Sequence, residues 1–174
     1  MEYESVRIRV IIMSAFLLIA ILLTSVHDIQ ADPFEQGSLR VSIVVGTGQA
    51  FRNDYTIIGV GAGYYVKDGL ELGLDGEAWL GGDPDINKLS LQAKYILSTQ
   101  SRFRPYIGAF YTHSFVDYYD DLDSVGGRGG VYLVQDDRWF LGVGAVYESY
   151  LDCDEKILDS CDDFFPEITV SFTF

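Results

Sequence analysis

The sequence predicts an all-β fold, an eight-stranded antiparallel transmembrane β-barrel preceded by a signal peptide. Three observations lead to this prediction: repeated alternation of apolar and polar residues, strands about twice the usual length, and an even number of strands. The chain has 174 residues, of which 48% are hydrophobic and 14% aromatic. We therefore expect two parts, a signal peptide at 1–31 and one barrel domain at 32–174.

Residues 1–31 are typical of a secretory signal peptide. Arg7 and Arg9 precede an apolar run from Val10 to Leu23, and Ala31 is a suitable residue before a cleavage site. The run is shorter than the ~20 residues that a membrane-spanning helix needs. We expect cleavage after Ala31, and an uncleaved N-terminal anchor is the alternative.

The rest of the chain contains segments in which apolar and polar residues alternate with the period of a β-strand. In the third segment, leucines at every second position oppose Glu71, Asp75 and Glu77. The predicted strands are Ser38–Gly48, Asp54–Val66, Gly69–Leu80, Ile86–Leu97, Phe103–Val116, Ser124–Gln135, Arg138–Leu151 and Phe164–Phe174.

The lengths of these strands and of their connections favour a membrane barrel over a soluble sandwich. The strands have about 11 to 14 residues, whereas strands of globular proteins have about 5–6 and tilted membrane strands ~9–11. An even number of strands can close without a free edge, which lipid requires. Short connections at 67–68, 98–102 and 136–137 alternate with mostly longer ones at 49–53, 81–85, 117–123 and 152–163. We expect the longer set outside the cell and the short set in the periplasm.

Two internal stretches and the C-terminus carry a family resemblance. Gly59–Leu74 (GVGAGYYVKDGLELGL) looks like the strand, tight turn and strand of the small OmpA/OmpX-type outer-membrane β-barrel protein family. Arg104–Phe110 (RPYIGAF) looks like the fifth strand of the same family. The terminal Val170, Phe172 and Phe174 resemble the signal read by the barrel-assembly machinery. The resemblance implies location in the outer membrane of a Gram-negative bacterium. It also implies outer-membrane lipid, lipopolysaccharide and the barrel-assembly machinery as partners.

If the leucine faces meet lipid, the polar faces converge in the lumen. An eight-stranded interior is only wide enough for its own side chains, so we expect a paired polar network rather than a water-filled pore. Trp79, Tyr95, Trp139 and Tyr147 are assigned to the aromatic girdles at the membrane interfaces. The predicted luminal network consists of Arg40, Glu71, Asp75, Glu77, Lys88, Lys94, Arg128, Glu148 and Glu167.

The formal net charge of −14 excludes nucleic acid as a partner, since phosphate binding needs a basic face. Loosely bound divalent cations fit the acidic connections, but we expect no dedicated metal site and no cofactor. Asp83 and Asp85 have the spacing of the first two ligands of a calcium-binding loop. Lys88, however, occupies the position where that loop needs glycine, and Lys94 occupies the position where it needs glutamate. The acids expected outside are Asp83, Asp85, Asp117, Asp120, Asp121, Asp123, Asp152, Asp154, Glu155, Asp159, Asp162 and Asp163.

The sequence argues against an enzyme. Outside the signal peptide the only histidine is His113, beside Ser114, and adjacent strand residues point to opposite faces, so His113 cannot readily activate that hydroxyl. We expect a non-enzymatic barrel with a structural or adhesive role through its acidic loops. A narrow channel for small solutes is the alternative, followed by a lipid-modifying outer-membrane enzyme.

Cys153 and Cys161 are expected to form a disulfide, because an exported protein meets an oxidising compartment. The bridge would close a loop of about nine residues and stabilise the fold by roughly 2–3 kcal/mol on the chain-entropy model. Mass spectrometry of protein alkylated without reduction should find neither cysteine modified. Two alkylated cysteines in protein taken from the outer membrane would refute the bridge.

Overall fold

A computed structural model describes residues 32–99, 101–151 and 160–174. The predicted signal peptide, residues 1–31, lies outside the described residues. Within the described ranges no helix is long and apolar enough to cross a bilayer. The strands are β1 (Leu39–Ala50), β2 (Asn53–Lys67), β3 (Leu70–Leu80), β4 (Ile86–Ile96), β5 (Phe103–Val116), β6 (Leu122–Val134), β7 (Trp139–Tyr150) and β8 (Asp162–Thr173).

The eight strands form a closed antiparallel barrel in which each strand pairs with its neighbour in sequence. β1 closes the barrel against β8, from Arg40 opposite Thr173 to Gly46 opposite Glu167. Just below this pairing, Leu39 and Phe174 exchange both backbone hydrogen bonds, at 3.0 and 2.9 Å. The predicted fold class is therefore confirmed, and both ends of the barrel domain lie at one end of the barrel, here called the terminal end.

The two faces of the sheet are inverted relative to a soluble barrel. Successive strand residues point to opposite faces, so Leu91 and Ile107 stand outside, 61% and 65% exposed, whereas Glu71 and Arg40 point inside, 0% and 1% exposed. An outer surface of leucine, valine and isoleucine over a charged interior is the pattern expected for strands that face acyl chains.

The segment before β1, residues 32–38, folds under the terminal end of the barrel. Phe34 is buried among interior rings, its carbonyl accepts a hydrogen bond of 2.9 Å from the Gly69 N–H, and Arg104 pairs with Asp32 at 3.0 Å. The strand pattern gives no hint of this segment, because a single apolar residue before a strand has no periodicity.

The opposite end, here called the loop end, departs from the sequence expectation at its first connection. The expected longer connection at 49–53 is wrong, because pairing continues to Ala50 opposite Asn53 and leaves a two-residue turn. Phe51 and Arg52 both have positive φ, 49° and 62°, which matches the twist of a two-residue hairpin. Between the strand bounds, 81–85 and 117–121 have five residues each and 151–161 has eleven, whereas 97–102 at the terminal end has six. The length asymmetry therefore rests on the connection at 151–161 alone.

The alternation on β4 can be tested with a pair of adjacent arginine substitutions. Leu91→Arg places a charge in acyl chains and should lower the free energy of unfolding by roughly 2–4 kcal/mol. Gln92→Arg should cost less, since the Gln92 side chain already lies 2.6 Å from the carboxylate of Asp75. Urea titrations of both variants in lipid vesicles measure the difference. A neutral Leu91→Arg would contradict the outward assignment.

Candidate functional site in the barrel interior

The first group of interior charges is centred on Glu71 of β3. Arg40 of β1 donates through Nε and Nη2 to the two carboxylate oxygens of Glu71, both at 2.8 Å. Lys94 of β4 adds a second cation at 3.5 Å. Arg40 also lies 3.8 Å from Asp75 and donates to the hydroxyl of Ser42. A bidentate contact of this kind fixes both side chains in one geometry.

The second group joins Asp75 to the far side of the barrel. Arg128 of β6 lies 3.2 Å from Asp75 and 3.5 Å from Glu167 of β8. The amide of Gln92 donates to Asp75 at 2.6 Å, and the Tyr106 hydroxyl donates to Glu167 at 3.0 Å. Together with the first group, these contacts tie six strands across the lumen.

The third group lies nearer the loop end. Lys88 of β4 pairs with Glu148 of β7 at 2.7 Å, and the Ser124 hydroxyl donates to the same carboxylate at 2.5 Å. The Lys88 ammonium stands 4.0 Å from the centre of the Trp79 ring, within reach of a cation–π contact. Glu77 accepts a hydrogen bond of 3.2 Å from the Trp79 indole N–H.

The glycines of β2 make room for the carboxylates of β3. Gly61 lies opposite Asp75. Gly63 lies opposite Gly73, and the side chain of Glu71, two residues along β3, extends over it. A Cβ at Gly61 would stand 2.1 Å from a carboxylate oxygen of Asp75, and one at Gly63 would stand 2.4 Å from Glu71. The alternating glycines of GVGAG are therefore explained by the space that the interior carboxylates need.

Apolar clusters fill the interior at both ends of the charged region. Lys94 reaches the Tyr132 hydroxyl of one cluster at 3.1 Å, and Lys88 lies over Trp79 of the other, so the charges run from cluster to cluster. The terminal cluster comprises Phe34, Tyr65, Ile96, Tyr106, Tyr132 and Phe140. The loop cluster comprises Tyr55, Ile57, Trp79, Ile86, Phe110, Val116, Val146 and Phe165.

The assignment of Trp79 to an interfacial girdle is wrong. Its side chain is 0% exposed and packs in the lumen against Phe165, with ring centroids 5.5 Å apart. The alternation of β3 contains this signal, since Trp79 shares a face with Glu71 and Asp75. Tyr95 and Tyr147 do face outward and are half exposed, and Trp139 is partly exposed on the outer face of β7.

The remaining predicted residues do not join the interior. Val170, Phe172 and Phe174 lie on the outer side of the last strand and its end. Cys161 accepts a backbone hydrogen bond of 2.9 Å from Tyr150 at the start of β8. Cys153 lies outside the described residues, so the disulfide stays a prediction. Among the described residues no group of three or more histidine, cysteine, aspartate or glutamate side chains is arranged to hold a metal ion.

Solved structures with the same architecture are outer-membrane or membrane-spanning barrels. The N-terminal β-barrel domain of Pseudomonas aeruginosa OprF superposes with a TM-score of 0.62 at 19% identity, over 80% of this chain and 98% of that one. Neisserial surface protein A superposes with a TM-score of 0.58 at 18% identity, over 79% and 96%. The chain has the fold of the small outer-membrane β-barrels.

A designed protein extends the comparison to the architecture itself. A de novo designed transmembrane β-barrel matches with a TM-score of 0.53 at 16% identity, over 80% of this chain and 98% of that one. The sequence matches no protein-family model and no curated protein. At these identities the likeness confirms the resemblance to OmpA/OmpX-type barrels at the level of the fold.

The interior contacts predict strong coupling between Lys88 and Glu148, which are 3% and 2% exposed. Lys88→Met leaves a buried carboxylate without its cation and should cost about 3–5 kcal/mol of unfolding free energy. The double variant Lys88→Met/Glu148→Gln should recover most of that loss, because no charge is then left unpaired. Urea titrations in lipid vesicles measure both variants.

Lys67→Met is the matched control for this experiment, since Lys67 is exposed at the end of β2. It should change the unfolding free energy by less than about 0.5 kcal/mol. A Lys88→Met variant as stable as this control would show that the interior pair is not energetically coupled.

Proposed function

We propose that this protein is a non-enzymatic barrel of the bacterial outer membrane with a structural or adhesive role, carried by the acidic residues of its loop end. The observation that carries the proposal is the filled interior. Ion pairs span the lumen, and apolar clusters occupy both of its ends. A barrel whose interior is occupied by its own side chains has its outer surface and its loops available for interactions.

The distribution of charge supports a role for the loop end. Among the described residues there, the one lysine or arginine is Arg52. At the terminal end, five acids stand beside Lys67, Arg102, Arg104 and Arg138, so the charges there nearly balance. The acids described at the loop end are Asp54, Asp83, Asp85, Asp117, Asp120, Asp121, Asp123, Asp162 and Asp163.

The surroundings of His113 support a non-enzymatic role. The His113 ring lies on the outer face of β5, 2.7 Å from Asp123 and 3.5 Å from Asp121. The hydroxyl of Ser114 points into the barrel and is buried. The imidazole and the Ser114 hydroxyl are therefore on opposite faces of the sheet, and a nucleophile–base pair needs hydrogen-bond contact.

The outer surface supports the proposed partners. Its apolar belt fits the acyl chains of outer-membrane lipid and lipopolysaccharide, and the outward row Val170, Phe172 and Phe174 fits recognition by the barrel-assembly machinery. Loosely held divalent cations at the loop end would offset the repulsion among its carboxylates.

Conductance in planar bilayers tests the proposal against the narrow-channel alternative. Purified protein reconstituted at neutral pH should give no sustained conductance steps, because charged and aromatic side chains fill the lumen. A porin inserted under the same conditions serves as the positive control. Reproducible steps from the purified barrel would overturn the filled-interior account.

Surface binding is the second readout of the same preparation. Vesicles carrying the barrel should be retained on a polylysine-coated sensor, and less so when Asp117, Asp120 and Asp121 are all replaced by asparagine. Retention should fall with added salt, since exposed charges are screened. Equal retention of the wild type and the triple variant would show that these acidic residues do not carry the proposed surface interaction.

A further inference from the structure

The seam between β1 and β8 is paired along only part of its length. Bridge pairs run from Arg40 to Gly46 on β1 and from Glu167 to Thr173 on β8. β1 nevertheless continues to Ala50, and β8 begins at Asp162. Within the described part of the chain, β1 and β8 have no bridge pair above Gly46 and Glu167. Two strand edges therefore diverge at the loop end.

The position of Pro166 explains why pairing stops there. Leu39 and Phe174 exchange hydrogen bonds, so by the alternation of an antiparallel ladder every second residue of β1 from Leu39 onward points its backbone groups at β8. That alternation would place Thr47 opposite Pro166. Proline has no N–H to donate to the Thr47 carbonyl, and the ladder ends at the pair before it.

A groove of about 660 Å³ lies at the loop end of this seam, and residues of β1, β2 and β8 line it. Thr47 and Gln49 line it from β1, and Phe164, 75% exposed, lines it from β8. The interior beneath is occupied, because a Cβ at Gly48 would stand 2.8 Å from the Trp79 ring. The groove is thus a notch in the rim and not an entrance to the lumen.

The notch lies above the apolar belt and carries negative charge. The outward residues of β1 are apolar up to Val45 and polar at Thr47 and Gln49. Asp54, Asp162 and Asp163 border the groove. Among the described residues that line this groove there is no lysine or arginine, and Arg52 lines a neighbouring pocket that shares Asp54 and Asp163 with it.

We propose that this notch binds an extended basic peptide segment of a partner protein by strand addition between β1 and β8. The inference rests on the proposed surface-interaction role and names the partner class. Strand edges offer backbone donors and acceptors in alternation, which another extended backbone can satisfy. Lysine or arginine side chains of the segment would lie beside Asp54 and Asp162.

The same features disfavour a lipid headgroup in the notch. Lipid phosphates are anionic and would be repelled by the three aspartates around the groove. A lipid also lacks the regular series of N–H and C=O groups that matches the edges of two strands. A peptide satisfies both requirements at once.

The test uses the full barrel in detergent micelles and a fluorescent six-residue peptide of alternating lysine and valine. Anisotropy should show saturable binding to the wild type. The same peptide methylated at its valine backbone nitrogens keeps its charge and loses half of its backbone N–H donors. It should bind at least about tenfold more weakly. Pro166→Val restores the missing N–H, should extend the β1–β8 ladder, and should weaken binding of the unmodified peptide to a similar degree.

Matched controls separate strand addition from simple charge attraction. Pro105→Val changes a strand proline on β5, away from the notch, and should leave the affinity unchanged. Asp162→Asn should weaken binding, whereas Asp120→Asn in the connection between β5 and β6 should not. Amide hydrogen exchange of Gln49 and Phe164 should slow when the peptide is bound.

Two outcomes would overturn the inference. The first is no saturable binding of the unmodified peptide to the wild type. The second is equal affinity for the methylated and unmodified peptides, and this comparison needs no folded variant. A barrel that neither conducts nor binds the peptide refutes strand addition alone, whereas a conducting barrel refutes the filled interior on which the proposed function rests.

Discussion

The hydrogen-bond requirement of the backbone in lipid is the constraint on which the structure depends. No water is present in the hydrocarbon layer to satisfy an N–H or C=O group, so a sheet that crosses it must close on itself. Eight strands pair in sequence, and β1 closes the sheet against β8. Closure gives the sheet one outer and one inner face, and strand alternation then sends every second side chain inside.

An interior of this width has room for side chains and little else, so the polar residues sent inside must satisfy one another. Arg40, Arg128 and Lys88 each contact at least one carboxylate of another strand. Glycines on β2 leave the volume that the acids of β3 occupy. Removing one partner would leave an uncompensated buried charge. Single substitutions of these charged residues should therefore destabilise the barrel.

The sequence predicted the features that follow from a period of two. Alternation assigned Leu91 to the outer surface and Glu71 to the inner one, and the eight strands were located to within a few residues. Trp79 was misplaced because its residue type, typical of an interface, was given more weight than its face. The Phe51-Arg52 turn was missed because neither residue is a usual choice for positive φ. Phe34 had no pattern to reveal it, since its burial depends on three-dimensional packing.

The effect of Pro166 on strand pairing can be inferred only when the register of the strands is known. A proline within an alternating run marks an edge or an irregular strand, but the sequence does not say which neighbouring strand loses its partner. The pairing of β1 with β8 supplies that answer and places the interruption at the loop end, beside three aspartates. The β1–β8 seam is thus paired from Glu167 to the terminal end, and its unpaired part at the loop end forms the notch.

Paramagnetic relaxation in lipid nanodiscs tests the central claim most directly. A nitroxide attached to lipid acyl chains and a water-soluble gadolinium chelate are added separately, and relaxation of assigned side-chain resonances is recorded. The account predicts that Leu91 and Ile168 relax with the lipid probe, that Asp120 relaxes with the chelate, and that the interior side chains of Lys94 and Arg128 relax with neither. Strong relaxation of Lys94 and Arg128 by the chelate would contradict it, since it would show a lumen open to water.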